Sequence, residues 1–149
     1  MFKELLANQV LHASLAAWLL AQILKVPIEF LYTRRPNWSL LLQAGGMPSS
    51  HSALVVSTAL SIGLNLGFDS ALFALALVFA MVVTYDASGI RRQAGLHAEK
   101  INALVDELLK GHPVSENQLK EVLGHTHWQV VAGALLGIVM ALLFWIIYP

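Results

Sequence analysis

The chain has 149 residues and no net charge, with 57% hydrophobic and only 12% charged residues. That length suits one domain and not two, and a soluble domain carries roughly 25% charged residues, so lipid is the predicted solvent for much of the surface. The neutral balance excludes a nucleic-acid surface as the main role. The absence of cysteine excludes disulfides, thiol catalysis and cysteine-ligated zinc.

Taken in chain order, the N-terminal stretch MFKELLANQVLHASLAAW mixes Lys3 with Glu4 and polar Asn8, Gln9 and His12, and no small-residue cleavage site follows. It reads as a retained helix and not as a signal peptide. Four apolar stretches are predicted to be transmembrane helices, over about residues 8–31, 50–66, 70–88 and 127–148, within a single domain 1–149. A membrane helix needs about 20 residues, with a range of roughly 17–25. These stretches lack the polar stripe of a soluble amphipathic helix. Gly67-Phe68-Asp69 predicts a tight hairpin between the second and third, with Asp69 or Ser70 as the cap of the next helix. Gly63 and Gly67, and again Gly133 and Gly137, have the spacing that lets membrane helices approach closely.

The long polar segment, about residues 90–124, separates the third stretch from the fourth. Leu96, Ile101, Leu104, Val105, Leu108 and Leu109 recur at mostly helical spacing, Gly111-His112-Pro113 ends that run, and Ser115 with Gln118 forms a capping-box pattern for a second short helix. The segment therefore reads as an amphipathic helical hairpin against the membrane or over the bundle. The predicted fold class is all-α: a membrane bundle of about four transmembrane helices with this hairpin inserted.

Helix order places Lys25, Arg34, Arg35, Arg91, Arg92, Lys100, Lys110 and Lys120 on one side and Lys3 alone on the other. The positive-inside rule makes the basic side cytoplasmic. That same side carries the unusual motifs. Gly45-Gly46-Met47-Pro48-Ser49-Ser50-His51-Ser52 enters the second helix. Asp86-Ala87-Ser88-Gly89-Ile90-Arg91-Arg92 leaves the third, and Gly124-His125-Thr126-His127-Trp128-Gln129 enters the fourth. Helix N-termini favour anions through unbonded N–H groups and partial positive charge. The planar fork of arginine suits phosphate oxygens. Histidine serves near neutral pH as nucleophile, acid or base. Two histidines at two helix starts beside arginines are the parts for phosphoryl transfer through a phosphohistidine. Each has a structural alternative: helix capping for His51, His125 and Gln129, headgroup anchoring for Arg34 and Arg35, and an ion pair with Arg91 or Arg92 for Asp86. A metal on His125 and His127 is disfavoured, because residues two apart on a helix point apart. Trp18, Trp38, Trp128 and Trp145 read as interfacial or packing aromatics.

Gly46-Met47-Pro48-Ser49-Ser50-His51-Ser52-Ala53 resembles the Pro-Ser-Gly-His motif of the type 2 phosphatidic acid phosphatase superfamily. The set of Lys25 to Ile28, Gly45 to Ala53, Asp86 to Arg92 with Ala94-Gly95, and Gly124-His125 with Val130 and Gly133 resembles its divergent branch, acid phosphatase/vanadium-dependent haloperoxidase-related, over about residues 25–133. The resemblance implies a nucleophilic His125, an acid/base His51, a phosphate clamp of Lys25, Ser49, Ser50, Arg91 and Arg92, and supporting roles for Asp86 and Gln129. It departs from the pattern where Ser50 replaces glycine and where Gln129 replaces the acidic residue that orients the nucleophile. Arg91 and His97 also have the spacing of the superfamily's third motif. His97 lies in the amphipathic segment, so His125 is preferred. The expected activity is metal-independent hydrolysis of a lipid phosphate or diphosphate in the inner or plasma membrane, with no cofactor. Its expected partners are that lipid and the bilayer, with no nucleic acid, and a homo-oligomer is left open. The alternative is a non-catalytic protein of the same fold that binds an anionic headgroup.

Overall fold

The computed structural model describes residues 2–42, 45–108 and 125–148. Among them the regular structure is helical: α1 (Phe2–Leu6), α2 (Gln9–Thr33), a 3₁₀ turn (Trp38–Leu41), α3 (Ser50–Leu66), α4 (Ala71–Ser88), α5 (Ile90–Leu108) and α6 (His127–Ile147). The predicted all-α membrane bundle is the one observed. α2, α4 and α6 are each long and apolar enough to cross a bilayer, and α3 is a shorter apolar helix. With 17 residues, α3 measures about 25 Å at 1.5 Å per residue, short of the roughly 30 Å hydrocarbon core. It can be short because it is the central helix, packed against α2, α4 and α6.

The helix boundaries have local causes. Asn8 breaks the predicted N-terminal helix into α1 and α2, because its side chain accepts from the Leu11 N–H and so begins a new helix. Ser70, not Asp69, caps α4 by accepting from the Phe73 N–H. The hairpin before it needs Gly67 at φ +92°, which an L side chain rarely adopts. α5 begins at Ile90, one turn earlier than its apolar periodicity predicts, after a break at Gly89. The second arm of the predicted hairpin, near 115–123, lies outside the described residues.

The core is built from small side chains. Ala17 and Ala21 of α2, Ala53 of α3 and Met140 of α6 form one buried cluster; Val55, Ala59 and Ala80 form another between α3 and α4. Lipid is as apolar as leucine, so helix association here rests on close packing and not on escape from water. The two glycine pairs differ in what they do. Gly133 and Gly137 let α6 lie directly on the α3 backbone, against Ser49 and Ala53 oxygens that a Cβ would strike. Gly63 instead makes room for the Phe68 and Phe73 rings, which pack edge to face 5.1 Å apart. At the far end Gln9 Nε2 donates to the Phe144 and Tyr148 carbonyls, at 2.9 and 2.6 Å, which ties the start of α2 to the end of α6.

Candidate functional site

At the basic end, backbone hydrogen bonds bring the three motifs together. The Ser49 N–H donates to the Gln129 carbonyl at 2.9 Å, joining the starts of α3 and α6, and the His125 N–H donates to the Ala87 carbonyl at 3.1 Å, joining the start of α6 to the end of α4. These groups could join only because Gly133 removes the side chain that would hold α6 away from Ser49. The spacing of small residues along α6 thus sets the position of His125.

Ser49 is fully buried and caps α3: its hydroxyl accepts from the Ser52 N–H at 3.3 Å and from the Ser52 hydroxyl at 3.0 Å. Its amide is engaged by Gln129. Ser49 is therefore the joint between two helix starts, and Ser50 is the serine that meets the cation. Lys25 Nζ donates to Ser50 Oγ at 3.4 Å across the α2–α3 contact. Lys25 is only 1% exposed. It stands within α2, about 12 Å below the Thr33 end at 1.5 Å per residue, and the chain folds back beside it. Gln22 Nε2 donates to the Leu41 carbonyl at 2.8 Å, so the 3₁₀ turn descends to the level of Gln22. Irregular backbone at such depth is tolerated where protein covers it or a cavity lies beside it. Gly46, at φ +88°, passes over the Lys25 stem, with the built Cβ position 3.5 Å from Lys25 Cγ and Cδ. Lysine inside a membrane bundle is costly and marks an ion or substrate site as a rule.

His125 lies just before Thr126, the residue that caps α6, and is 5% exposed. Thr126 and Gln129 form a reciprocal capping box. Gln129 Oε1 accepts from the Thr126 N–H at 3.0 Å, and the same oxygen lies 3.2 Å from His125 Nδ1. An N–H group can only donate, so the atom it meets is the amide oxygen, and an acceptor beside Nδ1 places the ring proton there. In the neutral ring Nε2 then carries the lone pair. Gln129 serves both readings made from sequence: it caps α6 and it sets the tautomer of His125. Sequence alone could not separate these roles, since both use the same spacing. Gln129→Ala is expected to lose about 1 kcal/mol of stability with the cap, whereas Gln129→Glu keeps both acceptor contacts. Thermal unfolding in detergent reads the difference.

His51 is half-buried in the first turn of α3. Asp86 is half-buried in the last turn of α4, one residue before the Ala87 carbonyl that holds His125. Arg91 and Arg92 fall in the first turn of α5, and their side chains lie outside the described residues, as do Lys110 and Lys120. His97 is exposed on α5 and His127 is exposed beside buried His125. Among the described residues no group of three or more His, Asp or Glu side chains gathers as a metal site. Trp38, Trp128, Tyr32 and Tyr85 are all largely exposed near the basic end, where amphipathic rings settle at headgroup level. The 3₁₀ turn after Arg35 was not legible in the sequence. Its one signal was the apolar Trp38-Ser39-Leu40-Leu41-Leu42 run, too short for a helix of its own.

The fold and the site together define a small helical membrane protein with serine, lysine and histidine side chains gathered where its helix ends meet on one side. The chain belongs to the Divergent PAP2 family, whose model matches residues 6–140. It is 43% identical to "Uncharacterized membrane protein YuiD" of Bacillus subtilis (strain 168) over 150 aligned residues, covering 93% of this chain and 95% of that protein. No solved structure matches it.

Proposed function

We propose that the protein is a membrane phosphatase acting on a lipid phosphate or diphosphate, with the basic end in the cytoplasm. The observation that carries this reading is that two helix starts are joined by the Ser49–Gln129 backbone bond, one beside a buried Lys25–Ser50 pair and the other beside a buried His125 whose Nδ1 lies against Gln129. In the proposed step, His125 Nε2 attacks phosphorus. The P–N bond forms as the P–O bond to the lipid breaks, and His51 gives its proton to the leaving oxygen. Water then attacks the phosphohistidine while His51 takes a water proton; the P–N bond breaks and inorganic phosphate leaves. One lipid phosphate and one water thus become a dephosphorylated lipid and phosphate. Lys25, Ser50, Arg91 and Arg92 hold the charge on the three equatorial oxygens, the main electrostatic task in phosphoryl transfer. Asp86 and Gln129 support the histidine. No metal enters this scheme.

The test is phosphate release from detergent-solubilised lipid phosphates by the purified protein, with inhibition by vanadate. Lys25→Met is expected to raise KM about 10- to 100-fold, the loss of one charge-assisted bond to the phosphate. An unchanged KM would remove Lys25 from the clamp. One observation favours a second reading, headgroup binding without turnover: the partner of His125 is an amide and not a carboxylate, so an imidazolium formed during the reaction is less stabilised. Headgroup binding that persists with no phosphate release under any condition would establish that reading.

A further inference from the structure

α2 and α4 both pack on α3 and hardly on each other. Between them runs a furrow whose floor is α3. One section, about 450 Å³, is lined by Leu11 and Leu15 of α2, Leu54 and Val55 of α3, and Ala76 and Phe79 of α4. A second, about 490 Å³, continues from the shared residues Asn8 and Val10 to Ile62, Leu66 and Leu72 at the far end. Both volumes lie in the range of roughly 300–1,000 Å³ typical of ligand sites.

The floor residues Leu54 and Val55 stand three and four positions before Thr58, and Ile62 four after it, so they share one face of α3. The next position up that face, one turn above Leu54 and Val55, is His51. From His51 to Leu66 is about 22 Å along the helix axis. In the upper section the two hydroxyls satisfy each other: Thr58 Oγ1 donates at 2.8 Å to Ser14 Oγ, and Ser14 Oγ donates to the Val10 carbonyl at 2.6 Å, while Asn8, Gln9 and Asn65 line the far section. An occupant therefore needs no hydrogen-bonding groups along the upper section.

We infer that this furrow holds the extended apolar chain of the lipid whose phosphate meets His51 and His125. The inference rests on the phosphatase reading only for the identity of the headgroup. The floor of α3 measures the chain: a chain of about 16 carbons fills the furrow from His51 toward Leu66, and a chain of six reaches only its upper turn. Chain length is then read by packing along α3, apart from any contact to the phosphate.

The experiment uses the full chain in nanodiscs and reads binding as well as turnover, with hexyl and hexadecyl phosphate as probes. The wild-type protein is expected to bind hexadecyl phosphate at least tenfold more tightly. Leu15→Trp and Phe79→Trp narrow the furrow from its walls at side chains that are 49% and 60% exposed, so the fold tolerates them. Each is expected to cut the long-chain preference to about twofold while hexyl phosphate binding stays unchanged. A hexadecyl phosphate carrying a mid-chain diazirine is expected to label peptides of α2 and α4 that line the furrow. Equal loss for both probes, no loss for either, labelling confined to other helices, or cross-linking between two copies through Phe79 would overturn the inference. Chain-selective binding without phosphate release would leave the furrow standing and reject the phosphatase.

Discussion

His125→Ala is expected to lower phosphate release from a lipid phosphate by at least about 10⁴-fold, the scale seen when a covalent nucleophile or its direct partner is removed. The backbone N–H of residue 125 donates to the Ala87 carbonyl, and alanine keeps that bond while losing the Nδ1 contact to Gln129. The capping box of Thr126 and Gln129 also survives. The variant should therefore unfold like the wild type and still bind the headgroup through Lys25. His51→Ala is expected to cost about 10²–10⁴-fold, the usual contribution of a positioned acid or base. The two variants also differ in kind. With an aryl phosphate, whose leaving group needs no proton, His51→Ala should accumulate an acid-labile, base-stable phosphoenzyme, and His125→Ala should form none. Rapid-quench labelling with radioactive phosphate separates them. Full activity in His125→Ala would end the nucleophile assignment and return attention to His97, which has the alternative spacing after Arg91.

The second large effect lies in packing. Gly133→Leu is expected to destabilise the protein by 1–3 kcal/mol or more, on the order found for overpacked cores, and to abolish activity. The Cβ added at Gly133 would overlap the Ser49 carbonyl oxygen and press on Ser52 Cβ at 3.1 Å. Neither neighbour can yield easily: one is backbone and the other belongs to the first turn of α3. Moving α6 away would break the Ser49–Gln129 backbone bond and carry His125 with it. The matched control is Gly45→Ala, since a Cβ there meets nothing within 4 Å; its midpoint of unfolding should hardly move. Thermal unfolding in detergent, followed by helix signal, measures both. Equal effects at the two glycines would show that α6 does not rest on α3 through Gly133.

The three long apolar helices and the shorter central one were legible because lipid exposure requires apolar runs, and polar or glycine-rich turns separate them. His125 and the Pro48-Ser49-Ser50-His51 motif could be picked out from sequence as candidates because they stand at polar helix starts, and the structure places both at helix starts joined by the Ser49–Gln129 bond. Other features depended on partners distant in sequence. Gly63 and Gly133 have the same local pattern, a glycine four residues before another, yet Gly63 accommodates the Phe68 ring and Gly133 accepts the α3 backbone. Ser49 and Ser50 are adjacent, yet one joins two helices through its amide and the other meets Lys25.

The sequence by itself determined that this chain is an all-helical membrane bundle with long apolar helices joined by polar turns. Helix periodicity and hydropathy are local properties, and alternation across a bilayer follows from them. Only the tertiary structure decided that Lys25 descends to Ser50, that Gln129 both caps α6 and holds His125 Nδ1, and that α2 and α4 stand apart over α3. Those facts depend on how closely backbones approach, and that is set by which small side chains face each other once the helices are packed.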